Sequence, residues 1–248
     1  MHPLDEVEAV EFLEKFRQVR GGQDSILDAR LIHYPRRGSK SIVPLRIYSG
    51  WQGSALLLRV EMESDEFSPG SRFLFQGGEN PAGWVWRPGG EIEALPPEEL
   101  LGPLIEGMKL SAFDLTAPYV DWVDVEYDGP DRVGDSPVHW YRFSPTPEWS
   151  DRMESVGIVA VRVAIDARFD APVRVEYLDS GDDVLRSLEV RSFKQVKDTW
   201  IVRRLEGFDD VTRDRSELRV DEAEVELTLP YGIFSPDTLS MEAISISD

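Results

Sequence analysis

The stretch ALLLRVEM, residues 55–62, decides the fold class. Leu56, Leu58, Val60 and Met62 alternate with Arg59 and Glu61, so apolar and charged side chains fall on alternate positions. Because successive side chains of a β-strand point to opposite sides, this period of two predicts a strand with one apolar face. A fold built from such strands buries that face inside the protein.

The next two segments along the chain repeat the pattern with aromatic residues. Short strands are predicted over residues 72–76 and 83–87. We predict that the apolar side chains of all three strands face one interior space, because they alternate with the charged residues Arg59, Glu61, Arg72 and Arg87. A shift of one residue in register would turn a whole apolar set outward. The residues predicted to line this space and to contact an apolar ligand there are Leu56, Leu58, Val60, Met62, Phe73, Phe75, Trp84 and Trp86.

Strand patterns continue on both sides of this region. About eleven or twelve strands are predicted after residue 22, separated by turn signals such as Ser180-Gly181-Asp182 and Lys197-Asp198. Helices do not alternate with these strands, which favours antiparallel pairing. The predicted fold is mainly β (α+β): a single large curved antiparallel sheet or unclosed β-barrel. No linker divides the chain, so we expect a single domain over residues 1–248.

Helical patterns are few and short. Residues 3–20 have apolar positions at helical spacing, and this N-terminal helix is predicted to pack on the concave face through Phe12, Leu13 and Phe16. A second helix is predicted to begin near Leu95 and to run no further than Glu106, and residues 149–154 suggest a third. These short helices would serve as lids over the sheet.

Composition excludes several classes of protein. Of 248 residues, 47 are acidic and 27 basic, and the formal net charge is -20. Such a chain is repelled by nucleic acid, so no nucleic-acid partner is predicted. Cysteine is absent, which excludes disulfides and thiolate catalysis. No stretch approaches the roughly 20 apolar residues of a membrane span. No signal peptide is visible; the protein is cytoplasmic, or it is a mature chain whose export signal has been removed.

Motifs for catalysis were sought and none was found. The histidines, His2, His33 and His139, are isolated, and no nucleophile motif or phosphate loop occurs. Acidic clusters at residues 128–135, 179–183 and 209–214 do not match a calcium loop and are typical of hairpin turns. We therefore predict no catalytic residue, no metal and no cofactor, and the protein is not expected to be an enzyme. Glycoside hydrolysis needs only a pair of carboxylates, and a chain with 47 acidic residues always contains candidate pairs. An enzyme is therefore the third hypothesis.

Seven tryptophans admit two interpretations. They fill a core between the sheet and the helices, or several of them line a cavity. Two small helices can cover only part of the inner face of so many strands. An apolar concavity that is left unfilled is the first hypothesis for a binding site.

Three parts of the sequence resemble the outer-membrane lipoprotein-sorting (LolA/LolB-like) family, in particular an uncharacterised branch of it. The first is the N-terminal helix that leads directly into a hairpin. The second is Trp84-Val85-Trp86-Arg87-Pro88, followed by residues 100–105 and by Ser111-Ala112-Phe113-Asp114-Leu115. The third is the C-terminal run of residues 200–205, 216–229 and Phe234-Ser235-Pro236. The likeness covers most of residues 5–240 in the order of elements, although Lys109-Leu110-Ser111-Ala112 replaces a stretch that commonly contains glycine.

This resemblance implies an unclosed β-barrel with a helical lid, a hydrophobic cavity for acyl chains, and export to the periplasm with removal of the export signal. It implies lipid acyl chains or lipoproteins as partners, with membrane-associated proteins that exchange them. We therefore predict a non-catalytic lipid- or lipoprotein-binding protein of the bacterial cell envelope. The alternative hypothesis is a structural or interaction module whose core is filled and which binds no small ligand.

Overall fold

The computed structural model describes residues 2–19, 22–53, 55–63, 70–78 and 80–243. Thirteen strands form one sheet. Their bounds are β1 Asp24–Tyr34, β2 Ser41–Gln52, β3 Ala55–Met62, β4 Arg72–Gln76, β5 Ala82–Trp86, β6 Ile92–Ala94, β7 Val125–Val133, β8 Ser136–Phe143, β9 Ala160–Asp166, β10 Ala171–Leu178, β11 Val184–Val196, β12 Thr199–Asp209 and β13 Arg215–Leu227.

The sheet consists of two meanders joined along one seam. Its spatial order runs β6-β5-β4-β3-β2-β1-β13-β12-β11-β10-β9-β8-β7, and every neighbouring pair is antiparallel. The seam is the pair β1 and β13, which runs from Asp24 opposite Leu227 to Tyr34 opposite Arg215 with two shifts of register on the way. The edge strands β6 and β7 are consecutive in sequence and do not pair with each other. The predicted large antiparallel, unclosed sheet is therefore confirmed.

One face of the sheet, which we call the inner face, is covered by the N-terminal helix. This helix, α1, spans Glu6–Val19, and its Leu13 and Phe16 are buried in the main core, with Phe12 packed against it. The Tyr141 hydroxyl donates to the Ala9 carbonyl at 2.8 Å and fixes the helix on β8. The predicted packing of α1 through these three side chains is confirmed.

The chain crosses the inner face a second time between β6 and β7. We call residues 95–124 the crossing segment; it contains a 3-10 turn at Pro97–Leu100, the short helix α2 at Ala112–Thr116 and a second 3-10 turn at Pro118–Asp121. The helix predicted to begin near Leu95 and to end by Glu106 is a single 3-10 turn. Gly102 and Pro103 follow its last residues closely, and proline lacks the N–H that would continue a helix. A third helix, α3, spans Pro147–Ser155, as predicted.

The opposite, outer face carries a second, smaller core over β2–β5. Residues 228–243 follow β13 and lie across these strands, so that Ile233, Phe234 and Leu239 pack on Leu57 and Leu74. A side-chain carbon at Gly50 would come within 2.6 Å of the Phe234 ring, so any larger residue at this strand position would displace the ring. We call residues 228–243 the C-terminal strap.

None of the described helices is long and apolar enough to cross a lipid bilayer.

Candidate functional site

Six of the eight predicted acyl contacts lie together on the inner face. Leu58, Val60, Met62 and Phe75 are buried in the main core, and Leu56 and Phe73 pack against it. Cross-strand register explains the grouping, because Leu58 stands opposite Phe75 and Val60 opposite Phe73. The alternation seen in residues 55–62 therefore assigns this face correctly.

Trp84 and Trp86 lie on the other face, so their predicted place beside the six residues is wrong. Trp84 pairs with Leu74, Trp86 pairs with Arg72, and both tryptophans pack with the core under the C-terminal strap. The inner face of β5 is instead formed by Gly83 and Val85. A side chain at Gly83 would meet Leu100 of the crossing segment at 2.7 Å, so the crossing segment uses this space.

The six inner-face side chains are covered rather than open. Helix α2 contacts β3 and β4, and its Phe113 is at the centre of an aromatic cluster with Tyr119, Trp122, Trp149 and Tyr177. The ring centroids of Phe113 and Trp149 are 4.8 Å apart in edge-to-face geometry. In the structure, packed side chains occupy the part of the inner face for which sequence predicted a cavity.

Asp114 holds the crossing segment to the sheet. This fully buried carboxylate forms a capping box with Ser111 and accepts hydrogen bonds from the Tyr177 hydroxyl and from Arg186 Nη1, the latter at 3.0 Å. Burial, reinforced by the neighbouring carboxylate, raises the pKa of Tyr177 well above its usual value, so the phenol remains a donor. The stretch Ser111 to Leu115 that carries the family resemblance is thus a docking point between α2 and the strands β10 and β11.

An apolar cleft of about 740 Å³ opens at the end of the sheet where α1 leads into β1. Its walls come from the β9–β10 turn, the β11–β12 hairpin and the last residues of β13. We call it the mouth cleft; its apolar lining residues are Phe169, Ala171, Phe193, Trp200, Ile201 and Val225. Phe169 and Trp200 are 67% and 65% exposed, which is unusual for large aromatic side chains.

Sequence reasoning missed the mouth cleft. Trp200 is the second residue after the turn at Lys197-Asp198, and an aromatic residue so close to a polar hairpin turn is a signal of exposure. Phe193 gave no such signal, because bulges on either side of Ser192 shift the register of β11 against β12. Its position is set by the bulges and is not visible in simple alternation.

A second cleft, of about 470 Å³, lies at the other end of β11 and β12. It separates residues 101–111 of the crossing segment from the β12–β13 turn and from the residues after α3. We call it the lid-edge cleft. Most of its walls are apolar, and its polar side chains include Lys109, Arg186 and Asp209.

The two histidines within strands make structural contacts. His139 is buried below α1, where its Nδ1 lies 2.8 Å from the Tyr127 hydroxyl and its ring meets Phe12 edge to face. Burial lowers the pKa of His139, so its neutral form predominates at pH 7. His33 Nδ1 lies 3.2 Å from the Ser216 hydroxyl on the neighbouring strand.

The acidic turns use their carboxylates to hold backbone N–H groups. Asp179 Oδ1 accepts from the amides of Gly181 and Asp183, and Asp209 Oδ1 accepts from those of Val211 and Thr212. Among the residues that the structure describes, no group of three His, Asp or Glu side chains is placed to hold a metal ion.

The sequence was compared with known proteins. A family model described as "Uncharacterized protein" matches residues 64–241, which is more than half of the chain. The chain belongs to this family. None of the curated protein sequences matches it.

Solved structures share the fold at low sequence identity. A domain from Vibrio parahaemolyticus named for outer-membrane lipoprotein sorting is 18% identical with a TM-score of 0.81, covering 93% of this chain and 97% of that one. A DUF1329 family protein from Desulfovibrio piger is 16% identical with a TM-score of 0.81, covering 95% and 100%. A LolA superfamily protein from Nitrosomonas europaea is 15% identical with a TM-score of 0.71, covering 93% and 99%. The resemblance inferred from sequence is therefore confirmed for the fold.

Proposed function

We propose that this protein is a non-catalytic lipid- or lipoprotein-binding protein of the bacterial cell envelope that holds acyl chains against apolar side chains. The observation that carries the proposal is the mouth cleft, whose volume of about 740 Å³ lies in the range of small-molecule sites, roughly 300–1,000 Å³. The shared fold with a domain named for lipoprotein sorting and with a LolA superfamily protein supports it.

The energetics of such binding are favourable. Each methylene buried from water contributes about 0.8 kcal/mol, so a long acyl chain offers on the order of 10 kcal/mol before the costs of association. Exposed Trp200 and Phe169 at the rim offer apolar contact to a chain that enters from solvent or from a membrane surface.

The six inner-face side chains of β3 and β4 form a second proposed contact region. Leu56, Leu58, Val60, Met62, Phe73 and Phe75 contact an acyl chain only when α2 moves away from these strands, because the side chains are covered in the structure. A ligand chain that took the place of Phe113 over β3 and β4 would keep these apolar side chains buried from water.

Location and partners follow from the same proposal. The protein acts in the periplasm, receives acyl chains or lipoproteins, and exchanges them with membrane-associated proteins. The net charge of -20 disfavours nucleic acid and bare anionic lipid surfaces as partners.

One observation favours the alternative, a structural or interaction module without a small ligand. The inner face of β3 and β4 is covered by helix α2 with its buried Phe113, and buried Leu100 lies against Gly83 of β5. In that case the exposed rim of the mouth cleft would contact another protein.

Binding of a fluorescent fatty acyl probe tests the proposal directly. We expect saturable binding at micromolar concentration, and about a tenfold loss of affinity in Trp200→Glu, because a carboxylate at the rim must be desolvated when the chain enters. Val123→Glu, at a site 91% exposed in the segment before β7, is the matched control and should bind like the natural protein.

Native mass spectrometry of gently purified protein is the companion measurement, with a bound lipid as the expected result. Absence of saturable binding by any acyl ligand would contradict the proposal and leave the interaction module. Unchanged affinity in Trp200→Glu, with binding lost in a folded Leu58→Glu variant, would move the site from the mouth cleft to the inner face.

A further inference from the structure

The mouth cleft meets a second cavity at a gap between β10 and β11. The pairing of these strands ends at Arg174 opposite Glu189, and the first three residues of β10 have no partner on β11 in the described chain. Phe169, Ala171 and Phe193 lie at this gap and line both the mouth cleft and a cavity of about 690 Å³, which we call the outer groove. A ligand seated in one cavity can therefore extend into the other.

The outer groove lies on the outer face of the second meander. Its floor includes Trp140 and Arg162, which alternate along β8 and β9 with Tyr141 and Val163 of the main core. Five arginines and four acidic side chains line the groove, in a chain that has 27 basic and 47 acidic residues. The groove therefore lacks the excess of negative charge with which the whole molecule repels anions.

Most of these charges neutralise one another on the floor of the groove. Arg174 contacts the carboxylates of Glu176 and Glu189, and Arg162 Nη1 lies 3.6 Å from Glu176 Oε2. Arg191 continues the row at Glu189. Because the floor is balanced, the charges at the β7–β8 turn are the ones that select a ligand.

Two arginines flank the β7–β8 turn and have donors to spare. Arg168 Nη2 lies 3.3 Å from the Ser136 hydroxyl, and Arg132 Nη2 donates to the Asp135 carbonyl at 3.2 Å. Arg168 is paired with Asp166 through Nε and Nη2, which leaves its Nη1 without a partner among the described residues. Arg132 is exposed and forms no ion pair with a described carboxylate.

Arg168 stands where the outer groove meets the mouth cleft. Its guanidinium carbon lies 5.1 Å from the centre of the exposed Phe169 ring at the gap, and its own side chain is 53% exposed. The first polar group beyond a hydrocarbon chain in the mouth cleft therefore comes within reach of this guanidinium. Guanidinium groups match the geometry of phosphate oxygens, which makes phosphate the favoured acceptor here.

Carboxylates lie beside these arginines at the same turn. Asp131 lines the outer groove next to Arg132 in sequence, Asp135 follows in the turn, and both are exposed. A head group that is only negative meets these carboxylates unfavourably, and one that is only positive is repelled by Arg132 and Arg168. A head group that carries both a phosphate and an ammonium group suits both sets of charges.

We propose that the mouth cleft and the outer groove together bind a zwitterionic phospholipid, whose acyl chain lies in the mouth cleft and whose head group lies in the outer groove. Arg132 and Arg168 donate to the phosphate, and Asp131 attracts the ammonium group. This inference rests on the proposed function and names its ligand class: zwitterionic amphiphiles bind in preference to anionic and to cationic ones.

Calorimetric titration with three dodecyl amphiphiles, each below its critical micelle concentration, tests the inference: dodecylphosphocholine, dodecyl phosphate and dodecyltrimethylammonium. We expect the zwitterion to bind about fivefold more tightly than either of the others, as one exposed ion pair allows. Arg132→Glu should abolish the preference over the cation, because the new carboxylate repels the phosphate. Arg37→Glu makes the same change of charge at an exposed position between β1 and β2, at the end of β1 away from the mouth cleft, and should keep the preference.

Two further variants test each part of the ligand separately. Asp131→Lys should abolish the preference over the anion, because the new ammonium group attracts dodecyl phosphate and repels the choline. Trp200→Glu should weaken binding of the zwitterion about tenfold, because its chain shares the mouth cleft with the acyl probe. Asp131 and Arg132 are exposed, so neither substitution disturbs the core.

The outcomes distinguish this inference from the proposed function. Equal affinity for the three amphiphiles, or an undiminished preference in Arg132→Glu, would overturn the inference and leave the proposed function standing. Zwitterion binding that survives Trp200→Glu unchanged would overturn it too, since the chain would then lie outside the mouth cleft. Failure of all three amphiphiles to bind contradicts the proposed function as well.

Discussion

Arg59 is a fully buried charged residue that fastens the C-terminal strap to the sheet. Its guanidinium donates to Glu61 Oε1 at 2.8 Å and to the carbonyl oxygens of Ile233, Thr238 and Met241. Burial lowers the pKa of Arg59, but the adjacent carboxylate of Glu61 opposes this effect. The side chain therefore replaces the water that the strap carbonyls would otherwise bind.

Replacing Arg59 with methionine should lower the free energy of unfolding by about 3–5 kcal/mol. The change removes one partner of the ion pair with Glu61 and the hydrogen bonds to three strap carbonyls, which is the costly way to break a buried ion pair. Urea unfolding measures the effect. Arg87→Met, which breaks the exposed pair between Arg87 and Glu93, is the control and should cost no more than about 1 kcal/mol. Equal losses of unfolding free energy in the two variants would show that Arg59 does not hold the C-terminal strap on the sheet.

His139 is expected to make stability depend on pH near neutrality. Burial lowers its pKa in the folded state below the ordinary value of 6.5, so the unfolded chain binds a proton more readily. The stability gained from the neutral ring is complete above pH 6.5 and decreases as the pH falls towards the lowered pKa.

Thermal unfolding of His139→Gln at pH 7.5 and pH 5.5 checks this expectation. The variant should lose part of the decrease seen in the natural protein, because glutamine does not titrate. His2→Gln, at an exposed position near the chain start, should keep the full decrease. Identical pH profiles for the natural protein and His139→Gln would rule out this role.

Arg59 shows which part of a side chain's environment the sequence predicts. The alternation of Leu58, Arg59 and Val60 predicts that Arg59 points away from the inner face, and it does. Its complete burial depends on the strap, which carries no periodic pattern and is fixed by backbone carbonyls. Alternation therefore predicts which face of the sheet a side chain is on, but it does not predict which segment covers the outer face.

At the scale of elements, the crossing segment depends on one glycine of β12. A side-chain carbon at Gly207 would lie 2.4 Å from the Lys109 carbonyl oxygen and 3.1 Å from Leu110. The backbone of the crossing segment thus lies directly on the strand at this position. The Lys109 amide also donates a hydrogen bond to the hydroxyl of Ser216 on β13, at 2.9 Å.

Gly207→Ala should displace the crossing segment and lower the free energy of unfolding by about 1–3 kcal/mol, as overpacking does. Hydrogen exchange should quicken at the Leu104 and Met108 amides, which bond within the segment. Gly181→Ala, in an exposed turn where the nearest atom is the flexible Asp179 carboxylate, should leave exchange there unchanged. Unaltered exchange in Gly207→Ala would mean that the contact with β12 does not hold the segment.

Hydrophobic periodicity predicts the type and orientation of some elements but not of others. Helix α1 has one apolar face, and strand β3 alternates apolar with charged residues from Leu58 to Met62, so their patterns identify both the structure and its orientation. Strand β5 has apolar side chains on both faces, Val85 buried inside and Trp84 half-buried under the strap, and alternation cannot tell these faces apart. The clefts arise where separate elements meet, so they follow from topology and are not visible in local sequence.

At the scale of the whole molecule, we propose that the chain is one domain. The main core joins β2 and β3 of the first meander to β8–β10 of the second through α1 and the crossing segment. Urea unfolding followed by tryptophan fluorescence and by far-ultraviolet circular dichroism should therefore give coincident single transitions. Two separated transitions would indicate that the meanders unfold independently.

The seam between β1 and β13 has a consequence for how the protein is made. Strand β13, which covers the free edge of β1, is synthesised only after strands β2–β12, so β1 keeps one unpaired edge while all of these strands are made. An open edge of this kind invites pairing with other chains, and contacts so distant in sequence form slowly. The acidic charge of the nascent chain, by mutual repulsion, then protects the unfinished sheet from aggregation.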